Sequence, residues 1–350
     1  MTYKILVVAP SWVGDSVMAQ PMYRRLHEKH PELELHVFAP QWTLPLLQRM
    51  PEVSQTHLNP FEHGQLQLLS RYKVAKQLRA EKFDQAIVLP NSLKSALIPF
   101  LAKIPLRSGY LGESRRGILN DVRTLEETLL PKMVDRFYAL AEPAQTSIEL
   151  PVPYPVLKIN PDTLQNSLTD LHLNTDKPVI ALCPGAEYGP AKRWPEKHFA
   201  TLAEQCHQAG FAVWLFGSKK DEPIAKTINQ LSNNICIDLC GKTSLDQAID
   251  LIALAELVVC NDSGLMHVAA ALDRPIIALY GSSSPDFTPP LSDKAKVLNL
   301  HLDCSPCFER TCPLGHTDCL NKLQPEEVWE AAQAFIAPQT AESCLFSITQ

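Results

Sequence analysis

The chain has 350 residues, 45% of them hydrophobic and 20% charged. That length exceeds one typical domain and the balance is that of a folded protein, so two domains with real cores are expected and disorder is excluded. With a net charge of −6, no basic run and no basic–aromatic interleaving, the chain does not read as a nucleic-acid binder, and no 18-residue uncharged apolar stretch supplies a transmembrane segment. The charge is uneven: residues 1–150 carry 18 Lys+Arg against 15 Asp+Glu, net +3, leaving 14 against 23, net −9. An anionic partner is easier to place on the N-terminal half. No basic-then-apolar leader opens the chain, since Met1-Thr2-Tyr3 runs straight into KILVVAP. A cytoplasmic location with at most peripheral membrane contact is expected.

In chain order, KILVV (4–8), LHVFA (35–39) and QAIVL (85–89) read as strands, alternating with helical patterns near 15–29, 66–82 and 92–103. ELPVPYPVLKINP (149–161) holds four prolines. It reads as a stiff linker, 151–161, between a domain of residues 1–150 and one of 162–350. Beyond it PVIALC (178–183), FAVWLF (211–216), ICIDL (235–239), LVVC (257–260) and PIIALY (275–280) alternate with helices near 195–209, 221–231, 244–255 and 264–272. Pro195 opens the first of these helices and Gly210 closes it, while Ser244 with Gln247 has the capping-box spacing. Short apolar strands separated by helices mean parallel sheets covered on both faces. The expected fold class is α/β: two doubly wound, Rossmann-like domains whose parallel sheets face across a cleft, with ligands at the carboxyl ends of the strands.

The loops at those ends therefore matter most: PSWVGDSVMAQP, PNSLKSAL, PGAEYGPAKRWP, GSKKDE and NDSGLMH. Glycine lets backbone approach an oxyanion, and a following helix offers free N–H groups at its positive end. Neither GxGxxG nor GxxxxGK[ST] occurs. Asn261-Asp262-Ser263-Gly264 reads as a strand-to-helix corner whose amides suit an anion. The plain alternative makes Asp262 or Ser263 a helix N-cap and His267 a core-edge histidine.

Four blocks, PSWVGDSVM, LPNSLKSALIPF, PGAEYGPAKRWP, and NDSGLMHVAAAL with RPIIALYGSSSPDFTPPLS, stand in a consistent order and spacing over residues 4–336. They resemble the lipopolysaccharide heptosyltransferases of glycosyltransferase family 9, nearest its second-heptose branch. The resemblance implies a GT-B enzyme with an acceptor-binding N-terminal domain and a C-terminal domain for the nucleotide sugar. It implies inverting transfer of L-glycero-D-manno-heptose from ADP-heptose to the first heptose of the inner core, heptosyl-Kdo2-lipid A. Transfer to Kdo2-lipid A itself, or another GT-B nucleotide-sugar enzyme such as an epimerase, is the alternative; a two-lobed binding protein without chemistry is a third reading. The acceptor would be anionic and lipid-linked, which agrees with the net +3 half and with a peripheral position on the inner face of the inner membrane.

Sugar transfer from a diphosphate needs a base for the acceptor hydroxyl and a cation or helix end for the leaving phosphate. Asp15 matches the family's catalytic aspartate and is assigned as general base, with helix capping as the alternative. Lys192 matches its phosphate-contacting lysine. Asp262, Ser263, Gly264 and His267 are assigned to the donor site, with Gly217 and Gly241 as close-approach positions and Asp221 as a ribose contact. Asn91, Lys94, Arg107, Arg115 and Arg116 are the acceptor candidates. No catalytic metal or cofactor is expected.

Six of the ten cysteines, Cys183, Cys206, Cys236, Cys240, Cys260 and Cys344, are scattered, and most read as small buried hydrophobes. The other four lie in HLDCSPCFERTCPLGHTDC (301–319), as Cys304-x2-Cys307-x4-Cys312-x6-Cys319 with His301 and His316 nearby. In a reducing compartment such spacing fits structural zinc or a redox clip. Because the second CxxC of a zinc ribbon is missing, the preferred reading is a compact loop of reduced cysteines packed on the C-terminal domain, with zinc as the alternative.

Overall fold

The computed structural model describes residues 2–61, 64 and 66–336. The chain divides into two units, one running to Lys158 and including Asp286–Thr288, the other made of Ile159–Pro285 and the chain from Pro289 on.

The first unit contains β1 (Tyr3–Val8), α1 (Val13–Met18), α2 (Gln20–Lys29), β2 (Leu33–Ala39), α3 (Leu44–Leu47), β3 (Gln55–Leu58) and α4 (Leu68–Arg79). β4 (Gln85–Val88), α5 (Leu93–Leu101), β5 (Leu106–Tyr110), β6 (Asp121–Arg123) and α6 (Met133–Ala139) follow. Its strands are all parallel, in the order β3-β2-β1-β4-β5-β6. Ile5 to Val8 are buried because helices cover both faces of the central strand. The helix expected over 15–29 is interrupted at Ala19. Pro21 has no N–H to bond back one turn, so it is accommodated in the first turn of a new helix instead.

The second unit contains α7 (Pro161–Asp170), β7 (Val179–Cys183), α8 (Glu196–Gln208), β8 (Ala212–Leu215), α9 (Glu222–Leu231), β9 (Ile237–Asp238) and α10 (Leu245–Ile252). β10 (Ala255–Asn261), α11 (Gly264–Ala271), β11 (Ile276–Leu279), β12 (Ala295–Leu298), α12 (Asp318–Asn321) and α13 (Pro325–Gln333) complete it. This parallel sheet reads β9-β8-β7-β10-β11-β12, the same winding as the first. Its core packs Ile180, Leu182, Val213 and Val259 of the sheet against Phe199 and Leu202 of α8 and Val328 of α13. Gly210, at φ 94, ends α8 in the left-handed region that favours glycine, and the Ser244 N–H donates to Gln247 Oε1 at 3.0 Å in the expected capping box.

The proline-rich stretch is not a free strut. Gln20 bonds both backbone groups of Val156, at 2.7 and 2.8 Å, and the Lys158 N–H donates to the Arg49 carbonyl at 3.0 Å. Val152 and Leu157 are buried, so the stretch up to Lys158 belongs to the first unit. Pro161 is already the first residue of α7, capped by Asn160. Among the described residues no helix is long and apolar enough to cross a membrane.

Candidate active site

In each unit the strand order reverses between the first and fourth strands, β1/β4 and β7/β10, and such reversals open a crevice at the carboxyl ends. In the second unit the loop after β7 and the corner after β10 share that edge. Asn261, the last residue of β10, is fully buried. Its Oδ1 accepts from the Trp194 N–H at 3.0 Å and its Nδ2 donates to the Pro184 carbonyl at 2.7 Å, so one side chain pins both ends of the segment 184–194. That segment carries Lys192, whose Nζ lies 2.5 Å from Asp262 Oδ2 and 5.1 Å from the Tyr188 ring centroid. A carboxylate beside a phosphate site is repulsive in isolation; here it holds the ammonium.

Ser263 occupies the N-cap position of α11 but makes no side-chain capping bond, and its buried Oγ has no hydrogen-bond partner among the described residues. The N–H groups of the first turn, beginning at Gly264, therefore remain available to a ligand. His267, one turn on, is 4% exposed with Nδ1 unpartnered. Burial pushes its pKa down to about 4, with Asp262 opposing and Lys192 reinforcing, so the ring is neutral at pH 7. Ser282 and Ser283, just beyond β11, are also buried with unpartnered hydroxyls. Register places them at the same edge, because Leu279 pairs with Asn261. Buried polar atoms left open beside a helix N-terminus suit the oxygens of an anion. Sequence reasoning gave these two serines no role, although a Gly-Ser run directly after an apolar strand was a usable signal.

Three residues assigned to the donor site have structural work within the protein. Asp221 is buried, and its Oδ2 accepts from the N–H and the hydroxyl of Ser218, at 2.9 and 2.8 Å, so it caps the turn before α9. At Gly217 and Gly241 the protein's own packing already leaves little room for a side chain. A Cβ at Gly217 would meet Asp221 and Cys240 at 2.9 Å, and Gly241 is held at φ 68, with the Lys219 Cα 3.0 Å from where a Cβ would stand.

In the first unit Asp15 is the third residue of α1, half-buried, and the N-cap position belongs to Trp12. Asn91 is exposed just past β4, and Lys94 lies half-buried in the first turn of α5. β1 pairs with β4, which brings Asp15, Asn91 and Lys94 to one edge. The arginines behave differently. Arg115 is fully buried and donates to the Pro90 carbonyl at 2.7 Å, to Asn91 Oδ1 at 3.2 Å and to the Tyr110 carbonyl. It braces the loops after β4 and β5 and is not free to meet an acceptor. Arg107 sits near the amino end of β5, with its guanidinium on the Ile118 and Ile104 carbonyls, so it lies at the wrong end of the sheet. Arg116 is exposed beyond β5.

Cys183, Cys206, Cys236, Cys240 and Cys260 are buried, and burial raises their pKa values, that of Cys183 to about 12. Cys344 lies outside the described residues. The cysteine-rich loop backs the donor edge: the Ala191 N–H donates to the Arg310 carbonyl at 3.1 Å, Phe308 N–H to the Ser282 carbonyl at 2.6 Å, and Tyr188 hydroxyl to the Phe308 carbonyl at 2.7 Å. Gly189 is obligatory here, since a Cβ would overlap the Arg310 backbone.

A family model described as glycosyltransferase family 9 (heptosyltransferase) matches residues 71–318. Lipopolysaccharide heptosyltransferase 2 of Escherichia coli (strain K12) is 46% identical over 347 residues, covering 97% of this chain and 100% of that one. Lipooligosaccharide heptosyltransferase 2 of Haemophilus influenzae is 49% identical over 307 residues, 85% and 88% of the two chains. The solved structure of E. coli ADP-heptose lps heptosyltransferase II aligns at a TM-score of 0.86 and 43% identity, over 95% of this chain and 98% of that one. With doubly wound α/β units and a likeness that runs the length of the chain, this protein belongs to glycosyltransferase family 9, the heptosyltransferases, and is a GT-B glycosyltransferase.

Proposed function

We propose that the chain transfers L-glycero-D-manno-heptose from ADP-heptose to the first heptose of the lipopolysaccharide inner core, with inversion at the anomeric carbon. The carrying observation is the donor edge of the second unit, where Lys192, held by Asp262, stands with the open N-terminus of α11 and the unpartnered Ser263, Ser282, Ser283 and His267 groups. Such an edge complements the leaving diphosphate. The names of relatives 46% and 49% identical support heptose as the group moved and the second core position as its destination.

In this reading Asp15 accepts the proton of the acceptor hydroxyl. The oxygen bonds to the anomeric carbon as the bond from that carbon to the β-phosphate oxygen breaks, and ADP departs with the electron pair. Lys192 and the α11 amides stabilise the charge developing on the phosphate, Asp262 positions Lys192, and the neutral His267 donates a ring N–H. Asn91 and Lys94 face the acceptor. No step calls for a metal or cofactor. Because the acceptor is lipid-linked, we place the enzyme in the cytoplasm, peripheral on the inner face of the inner membrane.

Incubation with ADP-heptose and acceptors carrying zero, one or two heptoses, read by mass spectrometry, tests the proposal. Addition to the one-heptose acceptor alone is expected. Addition to the heptose-free acceptor would make this a first-heptose enzyme, altered donor without transfer would favour an epimerase, and no reaction would overturn the proposal.

A further inference from the structure

We propose that Cys304, Cys307, Cys312 and Cys319 form a tetrathiolate site for a divalent transition metal of tetrahedral preference, zinc in the first instance, which fastens the loop behind the donor edge. The four thiols come from three separate places, the turn 304–307, the turn at 312 and the start of α12, yet all line one small pocket. Among the described residues no three ligand side chains are already gathered in metal-binding geometry. Uptake of an ion would bring the four sulfurs to about 2.3 Å from it.

The loop itself needs such a fastener. Residues 299–317 contain neither strand nor helix; Leu300 and Leu302 pack on the core at the start of the segment, but beyond them the large apolar side chains Phe308 and Leu314 are 49% and 61% exposed. Short segments that cannot bury a core are commonly ordered by a metal or by disulfides. The local backbone is also that of thiolate-binding turns. Phe308, directly after Cys307, is held at φ 56, and Gly315 and Thr317, after Cys312, at φ 74 and 51. Left-handed residues behind a cysteine turn successive N–H groups toward its sulfur. Those of Thr317, Leu314, Gly315 and His316 are directed at the Cys312 sulfur. Through the bonds of Phe308 and Arg310 to Ser282 and Ala191, an ordered loop would set the two segments that flank the phosphate position.

The test uses the full chain, purified without chelator, with metal measured by mass spectrometry. About one ion per chain is expected, released when the thiols are mercurated. Reconstitution with cobalt under reducing conditions should give thiolate-to-cobalt charge-transfer absorption. Cys307→Ser and Cys312→Ser should lose the ion and melt at lower temperature. If those variants fail to fold, the cobalt titration of the unaltered chain decides alone. A chain that holds no ion as purified and takes up neither zinc nor cobalt would overturn the proposal, as would a disulfide among the four. None of these readings involves heptosyl transfer, so the metal site and the proposed function can fail separately.

Discussion

His267 can donate to a phosphate oxygen as a neutral imidazole, but keeping it neutral makes stability depend on pH. Its folded pKa, about 4, lies below the ordinary 6.5, so between those values the unfolded chain binds the extra proton. The contribution is complete above about pH 6.5 and is lost as pH falls toward 4, reaching about 3 kcal/mol at most. His36 and His57, whose rings lie 2.9 Å apart between Nδ1 and Nε2, are also lowered by burial and add loss in the same direction. Thermal melts should therefore fall from pH 6.5 to 4, and His267→Gln should flatten the slope; an unchanged slope would show that His267 does not titrate in this way. Lys192→Ala should weaken ADP binding roughly 10-fold or more if its charge-assisted bond is worth about 1.5 to 3 kcal/mol. Asp262→Asn distinguishes holding from binding: it removes a negative charge beside the diphosphate, so ADP affinity should not fall while turnover does. Calorimetry showing weaker ADP binding in that variant would mean that the donor site needs the Asp262 carboxylate, through Lys192 or directly. The Asp262–Gly264 corner was legible in sequence from its helix-start spacing, while Lys192 came from the family resemblance; the structure pairs Lys192 with Asp262 and starts α11 at Gly264. The work of Asn261 was not, since its partners are 67 and 77 residues away.

At the scale of elements, the segment 184–194 behaves as one piece because Asn261 ties down both its ends. Asn261→Ala would leave the Trp194 N–H and the Pro184 carbonyl buried without partners, at a cost of about 2 to 4 kcal/mol, and would release Lys192 from its place. A lower melting temperature together with weaker ADP binding is expected; a melting loss with unchanged ADP affinity would confine Asn261 to stability. Strands buried on both faces, such as VIALC in β7 and IIAL in β11, announced themselves by continuous apolar runs. QTHL, DVR and AKVL did not, because β3, β6 and β12 are edge strands where polar residues are tolerated. β5 was missed as well, with a glycine and a serine inside LRSGY. Arg115 shows the converse limit. An arginine in a loop reads as a solvated charge, and only the approach of the Pro90, Asn91 and Tyr110 oxygens turns it into an internal brace.

At the scale of the whole molecule the same winding occurs twice, and each sheet has its own buried cluster. Asp15 belongs to the first unit, whereas Lys192, Asp262 and the α11 terminus belong to the second. Replacing Asp15 should therefore separate chemistry from donor binding. Asp15→Asn keeps the size of the side chain in the first turn of α1 and removes its charge, whose interaction with the helix dipole is worth about 0.3 to 1 kcal/mol. The melting temperature should move by no more than a few degrees. An amide cannot take a proton near neutral pH, and general-base contributions are typically about 10² to 10⁴ in rate, so turnover should fall by that order. ADP affinity measured by calorimetry should stay the same, because no residue of the donor edge has changed. A variant that loses mainly stability would make Asp15 a structural residue of α1. One that keeps its turnover within a few-fold would move the base elsewhere on the edge shared by β1 and β4, and one that loses ADP affinity as well would show that the two units do not divide the work as proposed.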